Sequence, residues 1–217
     1  MGETTRFWWI RHAPVPRHLH GGTIYGNLDL SCDCSDRAAF EGLARQLPKQ
    51  AVLVTSHLKR THETAQAIRD AGLEGPDPLQ DADLGEQDFG RWHGTTWDDL
   101  RAANQAEMAA FWKVPSLSRP PGGECFADVM IRVAPAMERL SESHAGRDII
   151  LVAHGGSIRA ALGHALGLAP AQALMFKIDN LSITRIDHIP SGHLGGYGGA
   201  WRVATVNRPP IADEGAQ

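Results

Sequence analysis

Three short apolar segments, residues 5–10, 51–55 and 148–153, are each followed by polar side chains. Their apolar residues run almost without interruption, which is typical of strands buried on both faces of a parallel sheet. The polar residues that follow are Arg11 and His12 after the first segment, Ser56 and Arg60 after the second, and His154, Gly155, Gly156 and Ser157 after the third.

Between these predicted strands, apolar residues recur at the spacing of amphipathic helices. Capping residues and glycines indicate where the helices begin and end. Four helices are predicted. The first begins after Ser35 as its N-cap, and the second spans 60–71 and ends at Gly72. The third spans 126–140 with a kink at Pro135, and the fourth spans 158–166 and ends at Gly167.

Strands that alternate with helices predict an α/β fold with a mostly parallel sheet. Two further strands are predicted at residues 176–187 and 201–206, joined by the glycine-rich segment 191–199. No helix follows these glycines, so we interpret them as a flexible hairpin rather than a phosphate loop. We expect residues 1–217 to form a single domain, with 207–217 as a flexible tail.

Composition narrows the possible functions. Of the 217 residues, 42% are hydrophobic and 21% are charged, as in ordinary globular proteins. The net charge of −4 argues against non-specific binding to nucleic acid. Three cysteines are too few for a disulfide framework, no segment approaches the ~20 apolar residues of a membrane span, and the first residues do not resemble a signal peptide. We therefore expect a cytoplasmic protein with neither nucleic acid nor membrane as a partner, whose oligomeric state the sequence leaves open.

Sites in parallel α/β sheets form outside the carboxyl ends of the strands. The predicted strands would bring two histidines, His12 and His154, to that edge of the sheet, together with two arginines. These arginines are Arg11 and Arg60. Arginine can bind a phosphate through two hydrogen bonds at once, and backbone amides at the start of a helix, here at Gly155, add a further anion site. A histidine in such a pocket is a candidate nucleophile toward phosphorus, so the pattern indicates phosphoryl chemistry.

Five segments carry recognisable motifs, and they occur in order along nearly the whole chain. They are Trp-Ile-Arg-His-Ala at 9–13, the segment SHLKRTHETA at 56–65, which contains Arg60, the segment LGEQDFGRWHG at 84–94, Pro-Gly-Gly-Glu-Cys at 121–125, and Ala-His-Gly-Gly at 153–156. Together they resemble the motifs of the histidine phosphatase superfamily, which has the phosphoglycerate mutase-like fold. The resemblance implies a three-layer sandwich, in which helices cover both faces of the central sheet.

The resemblance also implies a role for each matched residue. His12 would be the nucleophile that becomes phosphorylated. Glu86 would protonate the leaving alcohol and then act as the base that activates water. The phosphoryl oxygens would be held by Arg11, Arg60, His154 and Gly155. Because these groups supply the positive charge, no metal or other cofactor is expected.

Three positions depart from the family's pattern. Ala13 replaces a glycine and adds a methyl group where backbone and phosphate approach each other. The family's Trp-Asn pair, whose asparagine contacts the phosphate, is missing, so Asn27 either replaces that asparagine or is a turn residue. Cys125 replaces a serine, and we expect it to be a buried residue at the start of a helix.

A zinc site is an alternative for four other side chains, His18, His20, Cys32 and Cys34. A C-x-C spacing is unusual for zinc, however, and the two histidines lie in a loop rich in proline and glycine. We therefore expect no metal at these residues.

The sequence favours a phosphomonoesterase that hydrolyses a small phosphorylated metabolite through a phosphohistidine intermediate. A mutase of the cofactor-dependent phosphoglycerate mutase type is the first alternative, although the motif at 89–94 resembles the phosphatase branch. A binding module without activity is a second alternative. The presence of the expected residue at all five catalytic positions argues against it. The substrate stays open, with α-ribazole phosphate as one specific candidate.

Overall fold

The computed structural model describes residues 3–192 and 200–210. In chain order, the strands within these ranges are β1 (Thr5–Arg11), β2 (Val52–Thr55), β3 (Leu79–Gln80), β4 (Asp148–Ala153), β5 (Ile183–His188) and β6 (Trp201–Arg208). They form one sheet in the order β3-β2-β4-β1-β5-β6. The first four strands of this order pair in parallel, and β5 pairs antiparallel with both β1 and β6. The predicted α/β fold with a mostly parallel sheet is confirmed.

No helix of the described residues is long and apolar enough to span a bilayer.

Helices connect the parallel strands, as the periodicity of the sequence predicts. The α-helices are α1 (Arg17–His20), α2 (Arg37–Gln46), α3 (Lys59–Asp70), α4 (Trp97–Ala103), α5 (Gln105–Lys113), α6 (Phe126–Ser143), α7 (Gly155–Leu166) and α8 (Pro170–Ala173), and 3-10 turns lie at Ala82–Leu84 and Gly90–Trp92.

The central strand β4 shows how the sheet is buried on both faces. Ile149 and Leu151 pack in a cluster with α6 and α7, whereas Ile150 and Val152 pack in a second cluster with α2 and α3. Successive side chains of a strand point to opposite faces, so an unbroken apolar run requires a helical layer on each side. The three-layer sandwich is therefore confirmed.

One predicted helix start is wrong by a single residue. Asp36, not Ser35, is the N-cap of α2, because its carboxylate accepts the Ala39 N–H at 3.0 Å. A carboxylate at the N-cap satisfies an amide that has no partner within the helix. Helix α6 continues across Pro135 to Ser143, and the predicted kink stays a prediction.

The strand predicted over 176–187 is wrong in its first half, since β5 begins only at Ile183. Leu181 has a φ of 60°, a left-handed conformation that interrupts extended backbone. The carbonyls of Phe176 and Ile178 accept hydrogen bonds from arginine side chains instead of from a neighbouring strand.

The predicted tail over 207–217 also needs correction. Asn207 and Arg208 belong to β6, and the Asn207 side chain bonds Asp179 through both its amide oxygen and its amide nitrogen. Residues 211–217 lie outside the described residues, as do residues 193–199 of the predicted hairpin.

Candidate active site

The carboxyl ends of three neighbouring strands meet at one edge of the sheet, as predicted. Strand β4 lies between β1 and β2, and Arg11 at the end of β1 pairs with Ala153 at the end of β4. His12 and His154 each follow directly after these strands, and both side chains are buried. Their ring centroids are 5.1 Å apart. The structure therefore brings together two residues separated by most of the chain.

The backbone fixes the orientation of the His12 ring. Its Nδ1 lies 2.6 Å from the carbonyl oxygen of Ala13, a contact that assigns the proton to Nδ1 and leaves Nε2 unprotonated. The side-chain amide of Asn180 donates to the His12 carbonyl at 2.7 Å, and the Ala13 N–H donates to Thr64 Oγ1 at 2.9 Å. Burial, followed by the positive charge of Arg60, lowers the pKa of His12 well below its usual value. The ring is neutral near pH 7 and offers a nitrogen lone pair.

His154 is the N-cap residue of α7. Its Nε2 lies 2.8 Å from Ser56 Oγ, whereas its Nδ1 is buried without a partner among the described residues. When Ser56 donates to Nε2, the proton of the neutral ring resides on Nδ1, which is then a free donor. Burial, followed by repulsion from His12 when that ring is protonated and by the positive charge of Arg60, lowers the pKa of His154 well below its usual value.

The two predicted arginines are partly anchored to carbonyls of neighbouring loops. Arg11 Nη1 donates to Ile178 O at 2.7 Å. Arg60 is fully buried, and its Nη1 and Nη2 donate to Leu28 O and Gly26 O, each at 2.6 Å. Within the described chain, the Nε of both arginines is buried and has no hydrogen-bond partner. The guanidinium groups are thus held in place while donors remain available.

Three buried nitrogens beside the histidines therefore lack a partner in the described part of the chain. They are Nε of Arg11, Nε of Arg60 and Nδ1 of His154. A buried donor without a partner costs about 1–3 kcal/mol, so in native proteins a bound ligand or an ordered water usually satisfies it. A dianionic tetrahedral group matches this arrangement, because it offers several acceptors to donors that carry positive charge.

Glu86 lies against the first turn of α7. Its Oε1 accepts from the amide of Gln87 at 3.0 Å and from that of Gly156 at 3.1 Å. A Cβ built on Gly156 would collide with Oε1, so only glycine allows this approach. Burial lowers the pKa of Arg60, and the nearby charge of Glu86 opposes that shift. The Glu86 carboxylate therefore lies at the start of α7, against the amide of the residue two positions after His154 in the sequence.

Gly155 and Asn27 complete the predicted set. Gly155 is buried, and a Cβ there would lie 3.4 Å from Arg159 Nη1 and 3.6 Å from Arg11 Nε, so its backbone faces both guanidinium groups. Asn27 lies in the turn that binds Arg60 and lines a cavity of about 240 Å³ together with His57. Its side chain makes no hydrogen bond to the described residues, so the structure shows a turn residue and no contact for its amide.

Two departures from the family's pattern have structural explanations. Ala13 is fully buried in the same cluster as Ile10 and Phe40, so its methyl group packs in the core. The expected approach of this methyl group to a phosphate stays a prediction. Cys125 is the buried N-cap residue of α6, as predicted.

Arg132 of α6 holds the segment that carries Glu86, a role that the sequence does not predict. Its Nη1 donates to the carbonyls of Asp83 at 2.6 Å and Gly85 at 2.9 Å, and its Nη2 donates to Glu86 O at 3.1 Å. Its Nε pairs with Glu124 at 2.9 Å. A single arginine on an amphipathic helix has the sequence pattern of a surface residue, so only the structure shows this role.

A cavity of about 280 Å³ adjoins Glu86. Its walls include the aromatic rings of Phe89 and Trp97 and the side chain of Arg159 from α7. Arg159 Nε donates to Phe176 O at 2.8 Å. Arg159, like the arginine of α6, has the sequence pattern of a surface residue on an amphipathic helix, so the sequence does not predict its place in the cavity.

The four residues of the zinc alternative do not converge. Cys32 Sγ and Cys34 Sγ lie 3.6 Å apart, but the ring of His20 packs 4.9 Å from that of Tyr25. The described residues contain no group of three or more histidine, cysteine, aspartate or glutamate side chains that could hold a metal ion.

Comparison with known sequences identifies relatives across most of the chain. The sequence profile of the "Histidine phosphatase superfamily (branch 1)" matches residues 7–194. A curated relative, the 2,3-bisphosphoglycerate-dependent phosphoglycerate mutase of Brucella melitensis biotype 2, is 34% identical over 141 residues, which cover 64% of this chain and 68% of that protein.

Comparison with solved structures identifies phosphatases of similar fold. The mycobacterial glucosyl-3-phosphoglycerate phosphatase superposes with a TM-score of 0.78 at 26% identity, covering 95% of this chain and 100% of the other. A structure of that phosphatase with inorganic phosphate has a TM-score of 0.75 at 27% identity, covering 94% and 98%. A putative alpha-ribazole-5'-P phosphatase from Escherichia coli K-12 has a TM-score of 0.80 at 21% identity, covering 97% and 99%, which shows a shared fold.

Proposed function

The chain belongs to the histidine phosphatase superfamily, and from this premise we propose that it is a phosphomonoesterase acting on a small phosphorylated metabolite through a phosphohistidine intermediate. The observation that carries the proposal is the set of buried, unpartnered nitrogens of Arg11, Arg60 and His154 around the neutral His12 ring. A phosphoryl group would satisfy these donors and lie next to the His12 lone pair.

In the first step, His12 Nε2 attacks the phosphorus atom and the bond from phosphorus to the ester oxygen breaks. The Arg11 and Arg60 guanidinium groups stabilise the charge that develops on the phosphoryl oxygens. Glu86, in its protonated form, gives its proton to the leaving oxygen, so that an alcohol departs instead of an alkoxide. The His12 Nδ1 proton stays on its ring, where the Ala13 carbonyl stabilises the positive charge.

In the second step, the Glu86 carboxylate takes a proton from water as the water oxygen attacks phosphorus. The bond between phosphorus and His12 Nε2 then breaks, which releases inorganic phosphate and restores the neutral ring. Glu86 is again protonated and ready for the next cycle. Every proton is accounted for by these groups, and the arginines provide the positive charge that a metal clamp supplies in other phosphotransferases.

Phosphoryl transfer of the mutase type is the second candidate function, because the curated relatives include phosphoglycerate mutases. The two reactions share the phosphohistidine and differ in the acceptor, which is water in a phosphatase and a second substrate hydroxyl in a mutase. The Phe-Gly-x-Trp-x-Gly form at 89–94 and the phosphatases of similar fold favour hydrolysis.

A turnover screen over a panel of phosphorylated metabolites, including α-ribazole phosphate and the monophosphoglycerates, tests this proposal. We expect release of inorganic phosphate that continues after exhaustive chelation. Isomerisation of monophosphoglycerates faster than phosphate release would favour the mutase. Activity that chelation abolishes and zinc or magnesium restores would contradict the proposed mechanism.

A further inference from the structure

Two of the three cysteines form a pair of thiols that the proposed mechanism does not use. Cys32 Sγ and Cys34 Sγ lie 3.6 Å apart, and both side chains are half-buried. The third cysteine, Cys125, lies at the start of α6. Two sulfur atoms at this distance are in contact, so a small movement brings them to the bonding distance of about 2.0 Å.

The spacing of the pair allows a bond between the two sulfur atoms. Consecutive Cα atoms are about 3.8 Å apart, so residues two positions apart are separated by at most about 7 Å. Disulfides usually join Cα atoms that are about 4.4–6.8 Å apart, which a bend in the backbone at Asp33 provides. The Asp33 carboxylate accepts the Ser35 N–H at 2.9 Å, a contact typical of a turn. A disulfide that closes so small a ring is strained, and strained disulfides are readily reduced.

The two thiols have different surroundings. Cys34 lines a cavity of about 470 Å³ between α2 and α3, together with Arg37. A small molecule can therefore reach Cys34 through this cavity. Cys32 packs against α3 instead, and its Sγ lies 3.3 Å from Arg60 O and 3.5 Å from Thr64 Oγ1. We therefore expect an oxidant to react first at Cys34, with Cys32 as the second thiol.

Hydrogen bonding between the two thiols supports the same order. A hydrogen bond from the Cys32 thiol to the Cys34 sulfur lowers the pKa of Cys34, and the same bond raises the pKa of Cys32. Burial and the carboxylates of Glu63 and Asp33 oppose the lowering of the Cys34 pKa. The thiolate is the form of cysteine that attacks an oxidant, so the lower pKa favours Cys34 as the attacking sulfur.

The loop that carries the two thiols also holds Arg60 in the active site. The carbonyls of Gly26 and Leu28 accept hydrogen bonds from the Arg60 guanidinium group, each at 2.6 Å. Farther along the loop, Cys32 Sγ contacts the backbone carbonyl of Arg60, and the Cys32 N–H donates to Glu63 Oε2 at 2.8 Å. A change at Cys32 is therefore transmitted to both the main chain and the side chain of Arg60.

We propose that Cys32 and Cys34 form a redox-active pair that a hydroperoxide converts to a disulfide, and that this disulfide weakens the binding of phosphate through Arg60. A bond to Cys34 draws Cys32 Sγ away from Arg60 O and shifts the loop whose carbonyls hold the guanidinium group. The link to phosphate binding rests on the proposed function, because it takes Arg60 as a phosphate ligand. Formation of the disulfide does not depend on that function.

Oxidation of the pair proceeds in two steps. The Cys34 thiolate attacks one oxygen of hydrogen peroxide, the O–O bond breaks, and a sulfenic acid and a hydroxide ion form. The Cys32 sulfur then attacks the Cys34 sulfur, an S–S bond forms, and the hydroxyl group leaves with the Cys32 proton as water. The hydroxide ion takes up the proton that Cys34 released earlier. Two thiols and one peroxide thus give one disulfide and two water molecules, so sulfur is oxidised and oxygen is reduced.

Peptide mapping by mass spectrometry tests whether the disulfide forms. The reduced protein is treated with hydrogen peroxide, its remaining thiols are blocked, and trypsin then cleaves after Arg17 and Arg37 to release both cysteines in one peptide. This peptide contains no methionine or tryptophan, so its mass reports the cysteines. It should lose two hydrogen atoms in the wild-type protein, and dithiothreitol should restore them. Two free thiols after treatment, or sulfinic acid in place of a disulfide, would overturn the proposal.

Serine variants test the order of the two steps. Cys34→Ser should slow the loss of the Cys32 thiol about 10-fold or more relative to the wild-type protein, because the thiol with the lower pKa is absent. Cys32→Ser should stop at a sulfenic acid on Cys34, which dimedone traps. Cys125→Ser is the matched control and should form the disulfide at the wild-type rate. Loss of the Cys32 thiol at the wild-type rate in Cys34→Ser would show that Cys34 is not the attacking sulfur.

Calorimetry with inorganic phosphate tests the link to Arg60 without turnover. The disulfide form should bind phosphate about 3- to 10-fold more weakly than the reduced protein, the range expected when one hydrogen bond that holds the arginine is lost. Dithiothreitol should restore the affinity, and peroxide should leave the affinity of Cys34→Ser unchanged. Equal affinities of the disulfide and reduced forms would overturn the link. A reduced protein that does not bind phosphate would contradict the proposed function and the link with it, whereas the mass of the peptide would still decide whether the pair is redox-active.

Discussion

At the scale of single residues, burial prepares the two histidines for their proposed roles. A histidine with an ordinary pKa is partly protonated near neutral pH, and a protonated ring cannot attack phosphorus. The lowered pKa values of His12 and His154 keep both rings neutral over the physiological range. Their positive surroundings oppose protonation and at the same time attract the anion, so one arrangement serves both purposes.

The same burial predicts how stability depends on pH. Both histidines have folded-state pKa values below the unfolded value of about 6.5. The unfolded chain therefore binds more protons as the pH falls below about 6.5, and stability decreases in that window. Above it, both states are neutral and the effect is absent.

Urea denaturation at pH 7.5 and 5.5 measures this dependence, with His12→Asn/His154→Asn as the comparison. The wild-type protein should lose more free energy of unfolding on acidification than the double variant does, by at most about 1.4 kcal/mol per pH unit for each histidine. Carboxylates contribute equally to the pH dependence of the two proteins, so the difference between the two pH slopes reports the contribution of the histidines. Identical pH slopes would show that their burial is not linked to folding.

Glu86→Gln should have an effect that depends on the leaving group. An alkoxide needs a proton as it departs, whereas nitrophenolate leaves almost unaided. Loss of a general acid typically costs about 10²–10⁴-fold in rate. The penalty on phosphorylation of His12 should be in this range for a sugar phosphate and much smaller for p-nitrophenyl phosphate. Single-turnover rates are required, because Glu86 also acts in the second step. Equal penalties on the two substrates would remove Glu86 from the role of general acid.

At the scale of elements, α6 controls the position of Glu86 through Arg132. The segment that carries Glu86 contains only short 3-10 turns, so it has little hydrogen bonding of its own. Arg132 supplies bonds to three of its carbonyls. A lysine cannot make these bonds together, because it offers one compact ammonium group instead of a planar fork.

Arg132→Lys should therefore lower kcat for an alkyl phosphate by about 10-fold or more with a smaller change in KM, as expected when a catalytic group is misplaced. The loss in kcat caused by Arg132→Lys should be smaller in the Glu86→Gln background, because Arg132 acts by positioning the Glu86 carboxyl group. Arg139→Lys is the matched control, since Arg139 lies on the same helix and pairs with Asp81 and Asp83 near the surface. A comparable loss for Arg139→Lys would indicate general disturbance of α6.

The sequence predicts the elements that carry strong local signals. The three buried strands and the four long helices have unbroken or periodic apolar residues. The residues after the first and last of these strands predict His12 and His154 as site residues, whereas Glu86 is predicted only from the family motif at 84–94. The strand predicted over 176–182 does not form, because the carbonyls of this segment accept hydrogen bonds from arginine side chains, an interaction that no local pattern encodes. The two-residue strand Leu79–Gln80 is too short for any periodicity. Arg132 and Arg159 acquire their significance only from residues distant in sequence.

At the scale of the whole molecule, the site joins residues from both ends of the chain, so an anion bound there links strands and helices that meet only in the folded state. A ligand that binds only the folded protein stabilises it by about 2.7 kcal/mol at 100 times its dissociation constant. Orthovanadate or phosphate should therefore raise the melting temperature of the wild-type protein in a concentration-dependent way.

The ligand-induced rise in melting temperature should be much smaller in Arg60→Gln, which removes one of the buried cations. It should be unchanged in Arg101→Gln, which alters an arginine on the surface. The readout is the shift caused by the ligand within each variant, because Arg60 also bonds the carbonyls of Gly26 and Leu28 and its loss lowers stability by itself. A full ligand shift in Arg60→Gln would contradict its place in the anion site.

The central claim is that His12 carries the phosphoryl group during turnover, and rapid quenching tests it most directly. The protein should be mixed with a substrate labelled in its phosphate, quenched in base within the first turnover and digested for peptide mapping. We predict an acid-labile, base-stable phosphate on the peptide that contains His12, and its absence from His12→Ala. A labelled aspartate or serine, or phosphate release from His12→Ala at the wild-type rate, would contradict the account.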